Sequence, residues 1–319
     1  MTGMTLADTG LTWNLVDDVH RLLEFHFMVN AFRAGTIVAV LAGPVGWYMV
    51  LRAQTFAGHT LALVGLPGAS AAVWLGVTSL AGYFAFAVAA ALVIAVLPAG
   101  ASRGHSTESA AVGTVQAFSL AAGMLFITLY GGFSGATNAL LFGTFLGITS
   151  AQVAVLAGCA VVVLAGLAAI GRPLLFASVD PDVAGARGVP VRGLSVAFLL
   201  LLALTTAEVS QITGALLIFA LLVLPAATAQ RLTARPAYGL VLAVAFGLAV
   251  IWASLFAAYY SPYPIGFWTT TIGFACYAVA GGVPPLAARL LRRRPSPHAG
   301  VTGRHPAGAH NGLAGEGRP

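Results

Sequence analysis

Runs of about twenty apolar residues recur along almost the whole chain, and that is the length an α-helix needs to cross a hydrocarbon layer of about 30 Å. Inside lipid every backbone N–H and C=O must be bonded within the protein, so a chain built of such runs settles as a bundle of spanning helices. Only 8% of its residues are charged, against about 25% in a soluble globular chain. The membrane part is therefore the protein itself and not an anchor for a water-soluble domain. The expected fold is all-α, a polytopic transmembrane helical bundle.

Nine spans are read at 27–51, 60–79, 80–98, 110–130, 152–171, 193–208, 211–230, 237–259 and 265–286. The second and third are joined by almost no loop. The sixth and seventh share one apolar stretch, interrupted by Thr205, Thr206, Glu208, Ser210, Gln211 and Thr213. Either pair also fits a re-entrant hairpin, so eight or ten spans satisfy the same pattern.

Around this 27–287 membrane domain lie two segments of different character. Residues 1–26 contain Asp8, Asp17, Asp18 and Glu24 and no basic residue before Arg21, which excludes the positive leader of a signal peptide. They read as a retained extracytoplasmic segment. Its Leu15, Val19, Leu22, Leu23 and Phe27 fall near helical spacing and fit an interfacial helix or a plain lead-in to the first span. Residues 288–319, rich in Pro, Gly, Ala and His, have no apolar face and read as a disordered basic cytoplasmic tail. The irregular spacing of His298, His305 and His310 argues against a metal site there.

All fifteen basic residues are arginine and, with nine acids, give a net charge of +6. Thirteen of them fall in the loops after odd-numbered spans or in the tail: Arg52, Arg103, Arg172, Arg187, Arg192, Arg231, Arg235 and the six beyond residue 288. Cytoplasmic flanks retain such an excess, so the carboxyl terminus is expected in the cytoplasm and the amino terminus outside the plasma membrane. Arginines placed this way answer to the membrane and lipid and give no sign of nucleic acid. Cys159 and Cys276 each sit within an apolar run and read as small buried hydrophobes.

No catalytic constellation and no phosphate-binding glycine loop appears, so the chain reads as a non-enzyme that binds no cofactor of its own. Ionisable residues at membrane depth are costly and hence candidate functional groups. His59, at the start of span two, faces either an aqueous path or the headgroup layer. Glu208 lies either in such a path or at an external turn between spans six and seven. Pro67, Pro225 and Gly214 are candidate helix breaks for a gated pathway, although small and kinked sites also serve ordinary close packing. The segment SVDPDVAGARGVPVRGL (178–194) is polar, lies on the arginine-rich side and is long enough for a short surface helix that docks on a soluble partner.

That loop, followed by ITGALLIFALLVLPAATAQRL (212–232), resembles the permease of the zinc and manganese ABC importers known as the ABC-3 family. Asp180, Pro181, Ala184, Gly188, Val189 and Pro190 match its loop pattern, and Gly214 to Leu217 and Pro225 to Ala229 match the run downstream. AGPVGWYMVLR (42–52), LPGAS (66–70), Glu108 and LLFGTFLGITS (140–150) extend the similarity in order from about residue 30 to 285. The resemblance implies a homodimeric or pseudo-symmetric permease with cytoplasmic ATPase subunits and an external solute-binding protein. Residues 177–192, with Arg187 among them, would couple to the ATPase, and ATP would be used only by that partner.

Family members usually carry Gly-Asp-x-Leu-x-His at the start of span two, polar residues thought to line the metal path. This chain reads Gly58, His59, Thr60, Leu61, Ala62, Leu63. The hard oxygen ligand and one imidazole are gone, which favours zinc through His59 over manganese as cargo and leaves an ABC importer permease for a non-metal substrate as an alternative. An ion-gradient-driven carrier would need a cluster of membrane acids, and the chain offers Glu208 alone.

Overall fold

The computed structural model describes residues 21–22, 24–96, 105–130 and 147–292. Among them the long helices are α1 (His26–Leu51), α2 (Thr55–Trp74), α3 (Ser79–Val96), α4 (His105–Tyr130) and α5 (Ser150–Val179). After a short helix α6 (Pro181–Ala186) come α7 (Val191–Thr213), α8 (Ala215–Leu232), α9 (Pro236–Tyr260) and α10 (Ile265–Arg292). Each long helix falls on one of the nine apolar runs. Six of them, α1, α2, α4, α5, α7 and α9, are long and apolar enough to cross a membrane, while α3 and α8 contribute shorter apolar stretches. Residues 1–20 of the expected amino-terminal segment and 293–319 of the expected tail lie outside the described residues, as do Arg103 and 131–146.

Three boundaries differ from the hydropathy reading, and each has a local cause. Helix α2 spans Thr55–Trp74, not 60–79, because the chain turns at Ala53 (φ 55°) just after α1 and turns again at Gly76 (φ 74°). Apolar residues continue through that second turn, so composition conceals it. Helix α5 runs on through Arg172 and Pro173 to Val179. At about 1.5 Å per residue its thirty residues reach about 45 Å, longer than a hydrocarbon layer of about 30 Å. The α7–α8 break falls at Gly214, which places Glu208 within α7 and away from any external turn.

Helices α2, α3 and α4 pack as one group, and α1, α8, α9 and α10 as another. Helix α7 lies between them and touches α1, α2, α3, α5 and α8. Its Phe198, Leu202 and Ala203 are fully buried. Small residues let the helices approach closely: a Cβ on Gly46 of α1 would overlap the Leu222 carbonyl of α8, and one on Gly82 of α3 would overlap the Gly68 carbonyl of α2. Large apolar side chains such as Phe118, Val161, Val241 and Val279 point outward, as a lipid-facing surface requires.

The two ends of the bundle differ chemically. Phe25, Tyr259, Tyr260, Tyr263, Phe267 and Trp268 cluster where α1 begins, α9 ends and α10 begins, with the Trp268 indole donating to Ser261 at 2.7 Å. Amphipathic rings of this kind settle at the headgroup level. At the other end Arg52 donates to Ser178 and Ser195, and Gln230 donates to the Trp47 carbonyl at 2.8 Å. These bonds gather the arginine-bearing ends of α1, α5, α7 and α8 on one face.

Candidate transport pathway and coupling helix

The 178–194 segment folds by local rules that its residues spell out. Asp180, in extended conformation, caps α6 by accepting a hydrogen bond from the Val183 N–H at 3.0 Å, and Pro181 occupies the first helical position, where no amide bond is lost. Ala184 is fully buried and seats the helix on the bundle. Gly188 then adopts φ 81°, which closes the helix with two bonds, from the Gly188 N–H to the Gly185 carbonyl and from the Val189 N–H to the Ala184 carbonyl, both 3.0 Å. Pro190 caps α7. The Arg187 guanidinium stands 6.0 Å from the Phe176 ring, and Val179 and Val183 remain exposed. The result is a rigid hook on the arginine-rich end with apolar side chains turned outward.

The last two turns of α7 carry a run of buried polar residues. Thr205, Thr206, Ser210 and Thr213 are at most 1% exposed, and the three threonines return their hydroxyl protons to α7 carbonyls at 2.8 to 3.0 Å. Ser210 is instead hydrogen-bonded to the Tyr83 hydroxyl of α3, which also reaches the Ala62 carbonyl of α2 at 3.3 Å. Thr60 donates to Gln116 of α4 at 3.0 Å. Glu208 is 5% exposed, and its Oε2 is buried without a hydrogen-bond partner. A buried carboxyl oxygen without a donor is a costly arrangement, which makes Glu208 a candidate functional group.

His59 sits one turn into α2, half-buried, on a helix that packs against α7 and α8. Glu208 lies within α7 and not in a turn between helices. The structure does not gather a ready metal site: among the described residues no three or more His, Cys, Asp or Glu side chains converge. Pro67 lies inside α2, facing Gly123 of α4, and Pro225 lies inside α8. Gly214 is the joint itself, with φ 82° and ψ 150°. Sequence reasoning missed Tyr83, whose ring covers Gly65 and whose hydroxyl bonds Ser210. It has no local signature, since it becomes a polar partner only through packing of distant helices.

A bundle that keeps hydroxyls and a carboxylate at its centre while turning its apolar side chains to lipid is built as a multi-pass membrane transport subunit. Comparison with known proteins agrees. The chain is 30% identical to the manganese transport system membrane protein MntC of Halalkalibacterium halodurans, over 74% of this chain and 80% of that one. It is 29% identical to the manganese import system permease protein ScaB of Streptococcus parasanguinis, over 67% and 75%. Its fold matches a chain of PsaBC from Streptococcus pneumoniae, solved in complex with a Fab, with a TM-score of 0.76 and 26% identity over 87% and 99% of the two chains. The chain belongs to the ABC 3 transport family, whose profile matches residues 24–281.

Proposed function

We propose that this permease carries a divalent transition-metal ion inward, driven by a separate cytoplasmic ATPase and supplied by an extracytoplasmic solute-binding protein. In this reading all nine long helices cross the membrane, the arginine-rich end faces the cytoplasm, and two copies pair around the translocation path. The observation that carries it is the pairing of a polar, carboxylate-bearing bundle centre with a capped exposed hook, in a chain whose relatives bear manganese transport names. Helix α6, with Asp180, Pro181, Ala184, Arg187, Gly188, Val189 and Pro190, docks in the ATPase. Closure of the ATPase pair pushes it, and the bundle switches from outward-facing to inward-facing. Glu208 and His59 meet the ion in transit, while Pro67, Gly214 and Pro225 supply the breaks about which helices tilt. An imidazole in place of a carboxylate on α2 favours zinc; the names of the relatives favour manganese.

The deciding experiment is metal-stimulated ATP hydrolysis by the permease reconstituted with its ATPase and binding protein, screened over zinc, manganese, iron and nickel. Stimulation by zinc or by manganese identifies the cargo, and no response to any metal would sink the metal reading. The hook is tested separately. Gly188→Val forces a β-branched residue to φ 81°, at a cost on the order of 1–3 kcal/mol, and breaks both closing bonds of α6. Such a permease is expected to insert normally but to lose most of its co-purifying ATPase; full co-purification would overturn the docking assignment.

A further inference from the structure

The arginine that ends α1 does more than mark the cytoplasmic flank. Arg52 Nη1 donates to Ser178 Oγ at 3.1 Å, its Nη2 donates to Ser195 Oγ at 2.7 Å, and its Nε donates to Gln54 at 3.2 Å. Ser178 lies two residues before the α6 cap and Ser195 five residues after Pro190, so one guanidinium holds both chain segments from which the hook is hung. Each serine spends its own proton on a carbonyl one turn back, Ser178 to Leu174 at 2.6 Å and Ser195 to Val191 at 3.0 Å, which leaves its lone pairs facing Arg52. The guanidinium also stands 5.6 Å from the Phe198 ring at the buried centre of α7. Phe198 in turn lies 6.3 Å from the ring of Tyr48, whose hydroxyl donates to the Gly171 carbonyl of α5 at 2.9 Å.

Beside this clamp is a cavity of about 350 Å³ lined by Arg52, Gln54, Ser178, Pro181, Val191 and Ser195. The start of the hook, at Pro181, therefore borders open space on the side where the guanidinium lies. We infer that Arg52 is a positioning residue that converts displacement of α6 into joint movement of α1, α5 and α7. A planar fork with fixed donors suits this task, because it binds two acceptors at once in a set geometry, which a lysine ammonium on a flexible stem does not. Its partners here are neutral hydroxyls, and bonds to them are weaker than those to carboxylates, so the clamp is able to re-form in a second arrangement.

The inference rests on α6 being the coupling element, and its test separates the two. The complete transporter is placed in proteoliposomes, and ATP hydrolysis and uptake of radioactive manganese, or zinc if the metal screen selects it, are measured together. Arg52→Ala, and independently the Ser178→Ala/Ser195→Ala pair, are expected to lower the ions moved per ATP at least tenfold, with the ATPase still bound and hydrolysis within about threefold of the parent. Arg52→Lys is expected to recover only part of that ratio. A ratio equal to the parent's, or hydrolysis and uptake falling together with a lowered melting temperature, would show Arg52 to be a structural tie only. Loss of the bound ATPase from Gly188→Val alone keeps the docking assignment standing whichever way Arg52 falls.

Discussion

Replacing Gly214 with valine is expected to abolish transport and to lower the melting temperature of the solubilised permease by several degrees, with alanine intermediate. Gly214 has φ 82° and ψ 150°, a backbone region that side chains with a Cβ essentially never occupy. It is also buried, and it serves two helices at once. Its N–H closes α7 on the Ser210 carbonyl at 2.8 Å, and its own carbonyl accepts from the Leu217 and Ile218 amides at 3.2 and 3.3 Å to open α8. The break thus leaves its local backbone groups bonded without a loop, which a chain buried among lipid-embedded helices needs. A Cβ imposes on the order of 1–3 kcal/mol of strain at this joint, a large share of a typical folding free energy of about 5–15 kcal/mol. The direct readout is a thermal shift paired with uptake. As a control, Gly113→Ala on α4 meets only ordinary contact with Phe56, 3.8 Å away, and is expected to leave both unchanged. Equal behaviour of the Gly113 and Gly214 variants would mean that the joint relaxes freely and carries no strain.

Much of this architecture was legible in the sequence because bilayer thickness turns composition into length. The runs give the order of the long helices. The hook was legible for a different reason. Its structure is set by capping rules that act within ten residues, so Asp180, Pro181, Gly188 and Pro190 encode it directly. The position of the α7–α8 joint was not legible, because the polar residues from Thr205 to Thr213 read equally well as a turn in water and as the lining of an interior. Only the packing of α7 against five other long helices decides between them. Tyr83 and Arg52 were hidden for the same reason, since their partners lie 127 and up to 143 residues away.

Glu208 offers the sharpest separation of function from fold, because its two roles predict opposite signs. Glu208→Gln keeps the size of the side chain and removes its capacity for charge. If Glu208 were a structural residue, the change would delete an interaction, and stability and uptake would fall together. Its buried Oε2, however, has no hydrogen-bond partner, so the fold gains nothing there that glutamine would take away. Burying an ionisable group in an apolar bundle costs free energy, so a neutral isostere at this position is expected to be neutral or stabilising. The expected result is therefore a melting temperature equal to or above the parent's, combined with a loss of metal uptake of about a hundredfold, the scale of roughly 2.7 kcal/mol in a transition or binding step. Such a divergence is what a carboxylate kept for a passing cation should show. A parallel fall in both quantities, or uptake unchanged from the parent, would remove Glu208 from the pathway and leave His59 on α2 to carry the metal contact without it.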